Sequence, residues 1–170
     1  AQWTTFTALA KGEPVPGQGI DYLWSATNGT TWQFVGMYGN TGRITACDGV
    51  TQRTTSGAYN DGAVHHIAVV TASGTCNIYV DGVLDNGSNS PADPTPAGSK
   101  SYIGNHIEPN ATKWNGKVGH VALWNTALTA TQIATLQTTI VGWDDDTTGD
   151  RVAHLLDLAG WPTADRDIST

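Results

Sequence analysis

Short runs rich in β-branched and aromatic residues alternate with turn signals along residues 3–125. Segments 3–10, 20–26, 31–38, 42–48, 51–56, 64–72, 75–81, 101–104 and 117–125 are rich in Thr, Val, Ile, Trp and Tyr and read as strands. Asn28-Gly29, Gly39-Asn40-Thr41-Gly42, Asp48-Gly49, Asn60-Asp61-Gly62 and Ser73-Gly74 separate them. Asp81-Gly82 adds a hairpin signal, because glycine tolerates positive φ. Within one strand, Ile78 and Val80 share a face while Tyr79 points the other way. Residues 86–99 carry proline, serine, asparagine and glycine and read as a long loop. Many short strands with regular turns predict an all-β sandwich or barrel.

The period changes after residue 128. Thr129-Ala130-Thr131-Gln132 forms a capping box, and Leu128 with Ile133 forms a hydrophobic staple. Ile133, Leu136 and Ile140 then share one face of a helix expected near 130–139. A second helix is expected near 149–159, after the acidic run Asp144-Asp145-Asp146. Val152, Leu155, Leu156 and Ala159 form its apolar stripe, and Gly160 ends it.

Two groups of motifs resemble known families. The first runs His65-His66-Ile67-Ala68-Val69-Val70, Ser73-Gly74, Ile78-Tyr79-Val80-Asp81-Gly82, Tyr102-Ile103-Gly104, Trp114-Asn115-Gly116-Lys117-Val118 and Val121-Ala122-Leu123-Trp124-Asn125-Thr126-Ala127-Leu128-Thr129. In order and spacing it resembles the second half of a laminin-G-like, or concanavalin A-like, domain. The resemblance is close over residues 60–137 and general over 3–56. It implies a two-sheet antiparallel jelly-roll sandwich over residues 1–142, followed by an acidic link and helical segment over 143–170. It also implies loops that present themselves to a glycan or a protein.

The second group is Thr148-Gly149-Asp150-Arg151-Val152, Leu155-Leu156-Asp157, Gly160-Trp161-Pro162 and Arg166-Asp167-Ile168. It resembles a stretch in minor tail proteins of phages that infect actinobacteria. That implies a place in the virion tail, other tail proteins as partners, a possible homo-oligomer, and further tail sequence beyond residue 170. The chain starts at Ala1 rather than methionine, so it reads as a piece of something longer.

Charge narrows the partners. The formal net charge is −7, with only 8 Lys and Arg. No basic cluster appears along the sequence, which disfavours nucleic acid. No run of apolar residues is long enough to predict membrane insertion. By parity Cys76 faces the core with Ile78 and Val80, and Cys47 faces away from Ile44 and Ala46. As read the two cysteines do not obviously meet, and a bridge between them is left open. The Asn-x-Ser/Thr sites at Asn28, Asn86 and Asn110 matter only in a eukaryotic secretory setting.

The resembled fold includes glucanases, so an enzyme has to be weighed. A retaining glycosidase needs two carboxylates about 5 Å apart. Glu13 and Glu108 are the only glutamates, each precedes a proline in a loop, and no strand carries alternating acids. Gly119 and His120 stand where laminin-G-like strands commonly carry two acids. His65 and His66 are adjacent on a strand and point to opposite faces, so they cannot share a metal. Asp144-Asp145-Asp146 lacks the closing glutamate of an EF-hand, Leu155 standing at that position. The expectation is therefore a non-enzymatic chain.

Strand parity locates a candidate site. Antiparallel strands send successive connections to alternate ends of a sandwich. One end then collects 11–19, 39–42, 57–63, 81–83 and 105–116, and the other collects 27–30, 48–50, 73–74 and 86–99. The first end groups Tyr59, Asn60, Asp61, Asn105, His106 and Trp114, with Glu108 and Asn110 nearby. Asn and Asp hydrogen-bond sugar hydroxyls, and Tyr and Trp stack on sugar rings. Of the seven tryptophans, Trp114 is expected to be the exception to core packing. These residues make a host-surface glycan the expected ligand. No cofactor is expected, and a calcium ion on Asp61 and Glu108 is the one metal considered. A purely structural tail domain and a secreted bacterial adhesion or lectin-like domain are the alternatives.

Overall fold

The structure is a computed structural model, and it describes residues 5–12, 19–28, 32–47, 49–72, 75–91, 99–105 and 113–140. Among these residues, eleven strands precede one helix: β1 Thr5–Gly12, β2 Ile20–Asn28, β3 Trp32–Tyr38, β4 Ile44–Cys47, β5 Thr51–Thr54, β6 His65–Ala72, β7 Thr75–Val80, β8 Val83–Leu84, β9 Ser88–Pro91, β10 Ser99–Ile103, β11 Gly116–Trp124 and α1 Ala130–Ile140. They form a five-stranded sheet, β11-β1-β6-β7-β8, and a six-stranded sheet, β10-β2-β3-β4-β5-β9. Every ladder is antiparallel. This is the predicted two-sheet antiparallel sandwich, with an order consistent with a jelly roll.

Period-two alternation builds the core between the sheets. Phe6, Ala8 and Ala10 from β1, Ile67 and Val69 from β6, and Cys76, Ile78 and Val80 from β7 face Leu23, Trp24, Val35, Met37, Ile44 and Ala46 of the other sheet. Cys47 lies in a separate cluster with Tyr22 and Phe34, on the opposite face of its strand from Ala46. Both cysteines are free and buried, in line with the parity reading.

Helix α1 covers the outer face of the five-stranded sheet. Leu128, Ile133 and Leu136 pack on Ala68, Val70 and Trp124. Buried Thr5 ties the incoming chain down: its Oγ1 donates to Thr126 O at 2.8 Å and accepts from Leu128 N at 3.1 Å. The capping box forms as the sequence predicts. Gln132 N donates to Thr129 Oγ1 at 3.3 Å, and Thr129 N donates to Gln132 Oε1 at 2.9 Å. Thr129→Ala is expected to cost about 1 kcal/mol in denaturant melts, by loss of the cap. No helix among the described residues is long and apolar enough to cross a membrane.

Two expectations need correction. Residues 86–99 are not one long loop: Ser88–Pro91 is a strand on β5, and Ser99 opens β10. Val83–Leu84, not among the predicted strands, is a short return strand paired with the end of β7. The second helix expected near 149–159, and the boundary at residue 142, lie outside the described residues.

Candidate functional site

The ends of β1, β3, β5 and β7 and the starts of β2, β4, β6, β8 and β11 meet at one end of the sandwich, as parity predicts. Gly39 N donates to Gly19 O at 3.1 Å and Tyr59 N to Gly42 O at 2.7 Å, joining the three nearest connections. Asp81 and Gly82 both take positive φ, 51° and 77°, which suits the tight β7–β8 turn.

The segment that follows β5 is pinned from two sides. On one side stands Asp85. Its carboxylate accepts from Ser56 N at 2.8 Å, Gly57 N at 2.9 Å, Tyr59 OH at 2.7 Å and Ser56 Oγ. Burial works against this charge, but the Ser56, Gly57 and Tyr59 donors outweigh it and hold the pKa down to about 2. Burial and the Asp85 carboxylate together push the Tyr59 phenol well above its ordinary range. On the other side stands His65. Its Nδ1 lies 2.7 Å from Asp81 Oδ2 and its Nε2 3.1 Å from Asp61 Oδ1, and its ring meets Tyr59 edge-on with centroids 5.2 Å apart. Asp61 Oδ1 also accepts from Ala63 N at 2.8 Å.

A neutral imidazole has one N–H and can donate to only one carboxylate. With a carboxylate oxygen against each nitrogen, this geometry calls for imidazolium. Burial opposes the charge on His65, but hydrogen bonds to Asp81 and Asp61 prevail and its pKa is raised. The Ala63 N–H, and then His65, lower that of Asp61. The folded value of His65 thus lies above the unfolded one. Its stabilising contribution is fully present below about 6.5 and is lost as pH rises through the folded value. An NMR titration is expected to place His65 above 6.5, with amide exchange at Ala63 accelerating above that midpoint; Asp61→Asn is expected to lower the midpoint.

The candidate residues do not all gather. Tyr59, Asn60 and Asp61 stand together: Asn60 sits against Gly42, where a Cβ would meet its Oδ1 at 2.1 Å, and the Asp61 side chain is 60% exposed. Asn105 lies beside β2, where its carbonyl accepts from Ser25 Oγ at 3.0 Å. Trp114 is not a solvent-facing platform. It is 9% exposed, belongs to the core cluster, and donates from Nε1 to Lys117 O at 3.3 Å. His106, Glu108 and Asn110 lie outside the described residues. Sequence reasoning missed His65, Asp81 and Asp85, although the four-residue spacing of Asp61 and His65 and the turn position of Asp81 were visible signals. Among the described residues, no group of three or more His, Cys, Asp or Glu is placed to hold a metal ion.

Comparisons with known proteins fit this architecture. Residues 2–134 match a laminin-G-type family described as the concanavalin A-like lectin/glucanases superfamily. A mutant of Trypanosoma rangeli sialidase displaying trans-sialidase activity superposes with a TM-score of 0.61 at 23% identity, over 82% of this chain and 24% of that one. The Ruminococcus gnavus IT-sialidase CBM40 superposes with a TM-score of 0.61 at 13% identity, over 80% of this chain and 83% of that one. The heptameric SAP-like pentraxin of Limulus polyphemus gives 0.55 at 14% identity, over 82% and 71%. The chain thus spans about a quarter of the trypanosomal sialidase, and at these identities the likeness is one of fold. No curated protein sequence matches the chain.

Proposed function

We propose that this chain, which belongs to the concanavalin A-like lectin/glucanases superfamily, is a non-catalytic carbohydrate-binding module of a phage minor tail protein, and that it meets a host-surface glycan through loops at one end of its sandwich. The observation that carries this reading is the doubly pinned segment 56–63. Asp85 holds the backbone at Ser56 and Gly57 and His65 holds the Asp61 side chain, so Asn60 and Asp61 are presented without a large ordering cost on binding. The superposition on the CBM40 of a sialidase, covering most of both chains, supports carbohydrate as the ligand class.

The non-catalytic part rests on the carboxylates. Among the described strands Asp21 is the single acid, and it is buried, whereas a retaining pair needs two facing the substrate. The phage part rests on the motifs from Thr148 to Ile168, and location in the virion tail and tail-protein partners follow from it.

The test is binding of the 170-residue chain to a glycan array and to host cell-wall polysaccharides, with Asp61→Ala beside the wild type. Glycan binding that falls about tenfold or more in Asp61→Ala supports the reading. Absence of binding to every glycan contradicts it and moves a purely structural tail domain ahead. Electron microscopy of particles labelled with an antibody to this chain tests the tail assignment separately.

A further inference from the structure

The same end of the sandwich carries an arrangement that the charge total conceals. Of the chain's four lysines, three lie at this end: Lys11 at the end of β1, Lys117 at the start of β11, and Lys113 just before it. Lys11 and Lys117 are directly opposed partners in the β1–β11 ladder. Their neighbours Ala10 and Val118 pack into the core, so alternation sends both lysine side chains to the outer face. Lys113 pairs with Tyr22 across an isolated bridge, and Trp114 beside it anchors the corner by donating to Lys117 O. Lys113 and Lys117 are exposed and Lys11 half-buried.

None of the three is in an ion pair with a described residue; the ion pairs found there belong to His65. Like charges directly opposed across a ladder are destabilising. Among the described residues, no acid forms an ion pair with these opposed cations. The acids Asp61, Asp81 and Asp85 sit instead toward β7 and β8. In the order β11-β1-β6-β7-β8, β7 lies about 14 Å from Lys117 on β11 and about 10 Å from Lys11 on β1, with His65 of β6, which holds Asp61 and Asp81, between them. The end is therefore polar: cationic on the β1–β11 side and anionic on the β7–β8 side.

We infer that Lys11, Lys113 and Lys117 form a subsite for the anionic group of an acidic polysaccharide, a carboxylate or a phosphodiester, with the neutral part of the sugar lying toward Asn60 and Asp61. This rests on the carbohydrate reading above and names its ligand class. Lysine serves either anion as a mobile point charge, so the chemistry recognised is the negative charge rather than one planar group. The net charge of −7 repels a dense polyanion such as nucleic acid, so a short local anion inside a sugar chain is the fitting partner.

The experiment measures binding of the full chain to polygalacturonate, to a poly(glycerol phosphate), to dextran as the neutral polymer, and to a single-stranded oligonucleotide. The expected result is binding to one or both acidic polysaccharides in preference to dextran and the oligonucleotide, weakening as salt rises. Lys11→Glu and Lys117→Glu are each expected to lower that binding about tenfold, while Lys100→Glu, on β10 of the other sheet, leaves it unchanged. Lys11→Glu also replaces an opposed like pair by an opposed ion pair, so its melting temperature is expected to hold or rise while its binding falls. A purely structural role for Lys11 would not produce that divergence. Equal binding of dextran, equal binding of the oligonucleotide, or unchanged binding in both variants overturns the subsite, and binding of dextran would leave the carbohydrate reading standing. Binding of no polymer overturns the subsite, and the carbohydrate reading falls with it only when the glycan array is also blank.

Discussion

The domain is expected to lose on the order of 3 kcal/mol of stability as the pH falls from 6.5 to about 4, and one buried imidazole accounts for the loss. His66 is 1% exposed, and neither ring nitrogen has a hydrogen-bond partner among the described residues. It lies on the same face of β6 as Ala68 and Val70, the face that α1 covers. Burial pushes its pKa from 6.5 down to about 4, and the Asp81 carboxylate, which accepts from the His66 backbone N–H at 2.9 Å, offsets only part of that. The folded value is below the unfolded one. Full stability is therefore present above 6.5, where both states are neutral. It declines toward 4 because the unfolded chain takes a proton that the folded chain refuses. Each tenfold change in proton affinity is about 1.4 kcal/mol, so the drop from 6.5 to about 4 gives the figure.

The neighbouring charges act in other windows. His65 contributes stability below its raised value, so its effect is lost on the alkaline side. Asp85, held at about 2, loses its contribution only as pH falls from its ordinary 3.8 toward that value. His66→Phe fills a similar space with no proton to gain. Denaturant melts are expected to show wild-type stability falling across this window and the variant's remaining nearly flat. Equal slopes in the two proteins would assign the acid limb to other groups.

Gly116→Ala is expected to cost about 3 kcal/mol, the largest loss for a single methyl group at this end of the fold. Gly116 has φ of 144°, a region that side chains rarely enter, and a Cβ there would lie 1.9 Å from Lys11 O. The obstacle is backbone, so the β1–β11 ladder must separate. Its partner Gly12 is the control. A Cβ at Gly12 would lie 2.5 Å from Met37 Cε, the far end of a flexible side chain that can turn aside. Gly12→Ala is therefore expected to cost about 1 kcal/mol. Thermal melts that rank the two the other way would contradict the close approach of the strands. The same approach sets Lys11 against Lys117, so Gly116→Ala is also expected to weaken anion binding.

The fold was legible where one physical rule governed several residues. Alternation placed Cys76 inward and Cys47 outward, and the Thr129–Gln132 box with the Leu128–Ile133 staple marked the start of α1. The edge strand Ser88–Pro91 was illegible because it has no apolar face. It pairs with β5 through its backbone, which polar residues permit and their composition does not announce. Trp114 was misplaced because its neighbours are polar. Exposed Lys113, buried Trp114 and exposed Asn115 form one period of strand-like alternation, too short to stand out. The rim end was predicted from strand counting, but the partners that hold it were not. Asp81 looked like a turn residue and His65 like a strand start, and only the folded chain brings Asp81 and Asp61 to the two nitrogens of that ring.

The central claim is that carbohydrate meets this end of the sandwich, and backbone amide shifts in an NMR titration with the glycan that binds best on an array test it most directly. The account predicts shifts concentrated in 39–42, 57–63, 81–83 and 113–117, with Asp61 and Lys117 among the affected amides. Shifts confined to the opposite end, at 49–51 and 75–77, or to α1 would contradict it.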